Sequence, residues 1–116
     1  MILVRTIMKV LPEKQKEVFQ TLLSLIEPSG KEKGCLNYGV FTDIKEGNVF
    51  NVISEWETHQ HLENHIRSDR FSVLLGTRSL LCESVKIQIT TDAGSEGIKI
   101  VNSVRNKTFL LNSDLS

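Results

Sequence analysis

The sequence predicts an α+β fold: one antiparallel sheet with two helical segments on one face, in the order β-α-β-β-α-β. Three observations predict it. Residues 2–11, 35–43, 49–57 and 85–91 alternate apolar and polar side chains at the period-2 spacing of a pleated strand. The stretches from Glu13 and from Thr58 repeat apolar residues at helical spacing instead. Between the second and third strands, Lys45-Glu46-Gly47-Asn48 reads as a hairpin turn, which makes those strands antiparallel neighbours. A hairpin flanked by two strand–helix units is the split-βαβ, ferredoxin-like arrangement.

In the first strand Ile2, Val4, Thr6, Met8 and Val10 share one face, opposite Leu3, Arg5, Ile7, Lys9 and Leu11. Pro12 ends it and suits the first turn of a helix. Val18, Phe19, Leu22, Leu23 and Ile26 then form the expected apolar stripe of that helix, which Pro28 should kink or end. Residues 29–34 are charged and turn-like. The second strand begins at Cys35, with Leu36, Tyr38 and Val40 on one face and Phe41 on the other. In the third strand Phe50, Val52, Ser54 and Trp56 alternate with Val49, Asn51, Ile53 and Glu55. Thr58 is a fair N-cap for a helix to Arg67, and Ser68 for a further stretch carrying Phe71, Val73, Leu74, Leu75 and Leu80. Val85, Ile87 and Ile89 face inward in the fourth strand.

Residues 1–92 therefore form one domain, and residues 93–116 an extension beyond it. Within the extension, residues 92–97 read as a flexible turn and Ile98 to Val101 as a short strand or arm, before a polar, flexible tail. Two helices cover only one sheet face. A second copy of the chain, packed sheet to sheet, is the economical cover for the other, so a homodimer is expected.

Composition narrows the partners. The 116 residues carry fourteen basic and fourteen acidic side chains, and no basic stripe suits nucleic acid. No apolar run approaches a membrane span, and Arg5 and Lys9 interrupt what would be a leader peptide. Cys35 and Cys82 both lie in apolar contexts and read as buried thiols of a cytoplasmic protein.

Two blocks carry a family resemblance. The first is Leu25-Ile26-Glu27-Pro28 through Lys33-Gly34-Cys35-Leu36-Asn37-Tyr38. The second is Ser54-Glu55-Trp56-Glu57, then His61-Leu62-Glu63-Asn64-His65 and Ser68-Asp69-Arg70-Phe71. In this order and spacing they resemble the antibiotic biosynthesis monooxygenase (ABM) family over roughly residues 1 to 90. The resemblance implies a dimeric α+β barrel with a pocket between sheet and helices. It also implies oxidation of quinols or polyketides by oxygen without metal, flavin or haem. Some relatives degrade haem and others have no known activity. Where many members carry a second histidine after the helix, this chain has Arg70.

His65 is then the candidate catalytic residue, since a neutral imidazole can take a proton from a phenol or quinol near pH 7. A structural helix histidine is the plain alternative. Trp56 is a candidate to stack on an aromatic substrate or else to fill the core, and Tyr38 to orient a substrate oxygen or cap the sheet. Asn51, polar in an apolar strand, is a candidate hydrogen-bond donor to substrate if its face is buried. His61 and His65 have the i,i+4 spacing of metal-binding helices but lack the adjacent glutamate and a third ligand, so no metal is expected. The expected function is a cofactor-free monooxygenase of small aromatic or quinol-like substrates. A non-catalytic ligand-binding or regulatory dimer and a haem-degrading relative are the alternatives.

Overall fold

A computed structural model of the chain describes residues 1–91, 94–97, 101 and 104. Its elements are β1 (Ile2–Lys9), α1 (Gln15–Gly30), β2 (Cys35–Thr42), β3 (Val49–Trp56), α2 (His59–Ile66), α3 (Asp69–Gly76), β4 (Lys86–Thr91) and β5 (Gly94–Gly97). Short 3-10 turns precede α1 at Pro12–Lys14 and follow α3 at Thr77–Leu80. The sheet runs β2-β3-β1-β4-β5, every described pair antiparallel. This is the predicted β-α-β-β-α-β order with one more strand on the β4 edge.

Strand periodicity decides the core. Ile2, Val4, Thr6 and Met8 of β1 share the helix-covered face with Phe50, Val52, Ser54 and Trp56 of β3 and Ile87 and Ile89 of β4, all buried. Register holds them together: Ile2 pairs with Trp56, Val4 with Ser54 and Ile89, and Thr6 with Val52 and Ile87. Each fully buried apolar side chain here contributes roughly 1.5–3 kcal/mol. The opposite face carries Arg5, Ile7, Asn51, Ile53 and Phe41, the last 54% exposed.

Both predicted caps form. Thr58 accepts from the His61 N–H and starts α2, and Ser68 accepts from the Phe71 N–H and starts α3.

Six local expectations are corrected. Helix α1 passes through Pro28 to Gly30. A proline in the last turn removes one backbone donor, and the packing of Leu25 and Ser29 keeps the turn closed. The buried stripe of α1 is Val18, Leu22, Leu25 and Ser29, while Phe19 and Leu23 lie on its exposed shoulder. Phe19 still stacks on Phe50, with centroids 6.2 Å apart. In β2 the register shifts between Cys35 and Asn37, which turns Leu36 outward while Tyr38 stays inside. Cys82 is exposed, and only Cys35 is partly buried. Finally, the stretch expected to be a flexible turn contains β5, paired with Gln88–Thr91. Val101, expected in an extended arm, is helical, and it is buried with Val104 against the core. Residues 98–100 and 105–116 lie outside the described residues.

Candidate functional site

Helix α2 is short, and its buried side is Leu62, His65 and Ile66, the i,i+3,i+4 set that one helix face presents. That geometry carries His65 inward to 3% exposure. Trp56, delivered by the end of β3, stacks on its ring with centroids 4.5 Å apart and planes 26° apart. Phe71 and Tyr38 meet the same ring edge-on, at 5.5 Å and 6.0 Å. The Trp56 indole N–H donates to Ser54 Oγ at 2.9 Å, so this buried ring is satisfied.

The polar partner of His65 comes from the turn between α1 and β2. His65 Nδ1 lies 2.9 Å from Glu32 Oε2, and the same oxygen accepts from Arg70 Nε at 2.7 Å. The turn is fixed by the Cys35 N–H donating to the Glu32 carbonyl and by Gly34 at φ +83°. Only glycine adopts that φ freely. A Cβ on Gly34 would also overlap the His61 ring.

Charge follows from these contacts. Burial pushes the Glu32 carboxyl upward, but the hydrogen bonds from His65 and Arg70, and their charges, outweigh it and hold its pKa below the ordinary 4.5. An ionised Glu32 only accepts, so Nδ1 of His65 donates to it. In a neutral ring that leaves the lone pair on Nε2. Burial pushes the Tyr38 phenol up to about 12; the nearby Ser29 opposes this and the Glu32 charge adds to it. Ser29 Oγ is buried and makes no hydrogen bond of good geometry among the described residues. Burial and the Glu32 charge also raise the Cys35 thiol.

His65 and Tyr38 line a cavity between sheet and helices. Thr6 and Ser54 supply further polar groups to it, and the remaining wall is apolar, including Val52, Phe71 and Val101. The space open to the centre of a water molecule is about 10 Å³, enough for roughly one water.

Of the four residues singled out from sequence, the fold brings His65 and Tyr38 together at this cavity. Trp56, at 0% exposure, backs the His65 ring and is not among the cavity walls. Asn51 lies away from the cavity. Odd-numbered residues of β3 point to the other sheet face, where Asn51 Oδ1 accepts from Arg5 Nε at 2.8 Å. His61 is tied to its own cap, with Nδ1 2.8 Å from Thr58 Oγ1. No group of three His, Cys, Asp or Glu suited to a metal occurs among the described residues.

Sequence reading missed Glu32, which lies 33 positions from His65 inside a charged turn and carries no local signal. It also registered Arg70 only as a missing histidine. Thr6 and Ser54 did leave a trace: each is a polar residue at a core position of its strand.

Comparison with known proteins finds relatives both in sequence and in structure. The chain is 30% identical over 82 residues to the uncharacterised protein sll1783 of Synechocystis, a match covering 70% of this chain and 56% of the relative. The chain thus spans little more than half of that protein's length. It is 30% identical over 71 residues to YcnE of Bacillus subtilis, provisionally named a monooxygenase, covering 61% of this chain and 75% of YcnE. A crystal structure of a conserved protein from Methanosarcina mazei Go1 superimposes with a TM-score of 0.71 at 35% identity, covering 76% and 88% of the two chains. Residues 1–74 match the family model described as antibiotic biosynthesis monooxygenase. That match takes in β1 to α2 and most of α3, with Glu32, Tyr38, His65 and Arg70, and the chain belongs to the ABM family.

Proposed function

We propose that the chain is a cofactor-independent monooxygenase that oxidises a small aromatic or quinol-like substrate with molecular oxygen, His65 acting as the base. One observation carries the reading: a buried histidine on a cavity wall whose Nδ1 is held by an ionised carboxylate, leaving Nε2 to accept a proton. Family membership and the name of YcnE support it. In the reaction, Nε2 takes the acidic proton and leaves an electron-rich carbanion or phenolate. Carbon then bonds to O2. One oxygen stays on carbon as a carbonyl, and the other leaves as water with the two hydrogens removed from the substrate. Oxygen is reduced and the substrate carbon oxidised, so no further electron source is needed. Tyr38, whose pKa burial raises to about 12, has an O–H to donate to a substrate oxygen.

Oxygen uptake by the purified protein with menadiol tests the proposal. The wild type should exceed autoxidation, and His65→Gln should lower that excess by about 10²- to 10⁴-fold, the usual worth of a positioned base. Uptake equal to autoxidation in both proteins would sink it.

A second reading is a non-catalytic domain that binds a small ligand in the same cavity, which expects saturable binding without oxygen uptake. Haem is disfavoured as substrate because His65 is enclosed by the rings of Trp56, Phe71 and Tyr38. The proposal includes a homodimer formed through the sheet face that carries Ile7, Ile53 and Phe41, and a cytoplasmic location. No helix among the described residues is long and apolar enough to cross a membrane.

A further inference from the structure

The cavity beside His65 is completed by a residue from outside the β-α-β-β-α-β unit. Its other walls come from β1, β2, β3, α2 and α3 and from Ile89 of β4, whereas Val101 follows β5. Val101 is helical and 1% exposed, and Val104 is buried three residues on. That spacing puts both side chains on one helix face, which is the face turned to the core.

Val101 sits where a ligand would need room. The cavity takes about one water, while a dry pocket that accepts benzene is on the order of 150 Å³. The strands behind it cannot yield that space. β1 is bonded on both sides, to β3 and β4, and β3 likewise to β1 and β2. Helices α2 and α3 close the other side with Leu62, His65, Ile66, Phe71 and Leu74. The wall supplied from beyond β5 is the isopropyl group of Val101. The polar groups that share the cavity lining are Thr6, Ser54, Tyr38 and His65. An apolar chamber with a few polar groups suits a ring bearing one hydroxyl.

We propose that Val101 is a specificity-determining residue of this site: its side chain fills the place of the ligand's ring edge, and its size sets the largest ring that enters. The inference rests on reading the cavity as a site for an aromatic ligand.

Calorimetric titration of the full chain under argon tests it, with phenol and 1-naphthol as probes and the wild type, Val101→Ala, Val101→Leu and Val104→Ala as proteins. Phenol affinity should follow Ala over Val over Leu at position 101. The alanine variant should gain about tenfold over wild type, the factor expected for two carbons' worth of apolar burial. Its gain for 1-naphthol should be larger still. Val104→Ala, which loosens the same helix face without enlarging the cavity, should stay within twofold of wild type. Equal affinities across the position-101 series would overturn the proposal, as would an equal gain from Val104→Ala or the absence of phenol binding to Val101→Ala. The two readings fail separately. Graded binding with no oxygen uptake sinks only the monooxygenase, and His65-dependent uptake indifferent to residue 101 sinks only this assignment.

Discussion

Glu32→Gln is the sharpest probe of the site, because it keeps the shape of the side chain and removes only its charge. Glu32 Oε2 takes two charge-assisted hydrogen bonds, from His65 at 2.9 Å and Arg70 at 2.7 Å. Bonds to an ionised acceptor are roughly twice as strong as neutral ones, so neutralising it costs about 1 kcal/mol at the buried His65 contact. The Arg70 side chain is 38% exposed, and solvent screening reduces its share to about 0.5 kcal/mol. A loss of about 1.5 kcal/mol lowers the melting temperature of a domain this size by about 6 °C. The pH dependence gives a second, independent readout. The folded pKa of Glu32 lies below its unfolded value of 4.5, so its stabilisation is complete above pH 4.5 and disappears as pH falls through the folded pKa. The gap in melting temperature between wild type and Glu32→Gln should therefore be full at pH 7 and close towards pH 3. Thermal unfolding followed by circular dichroism measures both. A shift under 2 °C, or one that stays constant from pH 7 to pH 3, refutes the charge assignment.

The other predictions concern residues around the same corner. The phenol of Tyr38, the chain's one tyrosine, should show no phenolate absorbance at 295 nm until the pH nears 12. Its raised pKa contributes stability that is present below pH 10 and lost as pH rises through about 12; a folded-state transition near 10 would contradict its burial. Gly34→Ala forces a left-handed φ, which costs about 1–2 kcal/mol, and drives a Cβ into the His61 ring. Its melting temperature should fall by more than 4 °C, and adding His61→Ala should restore part of the loss. Trp56→Leu removes the ring stacked on His65 and the hydrogen bond to Ser54. It should destabilise by about 2 kcal/mol in urea titration, and a cost below 0.5 kcal/mol would show that the stack matters little.

Periodicity was enough to determine the architecture. Val4, Val52 and Ile89 each belong to a period-2 apolar series of their strand whatever lies far away in the chain, and Thr58 and Ser68 cap helices through contacts three residues long. Such local signals also point to His65, whose helical spacing with Leu62 and Ile66 places it on the buried side of α2. Strand parity likewise separates Trp56 from Asn51, since successive residues of β3 face opposite sides of the sheet. Which of the two faces the helices would cover is a property of the packed molecule, and that put Trp56 in the core and Asn51 beside Arg5.

The site itself was decided by contacts that no local pattern encodes. Glu32 reaches His65 across 33 residues because α1 continues through Pro28 and Gly34 turns the chain back. Val101 reaches the cavity because β5 pairs with β4, where composition suggested only a loose turn. A carboxylate in a charged turn and a valine in a short apolar arm look ordinary in sequence. Their partners, and hence the ionisation and size of the cavity, exist only once the sheet and helices have closed around them.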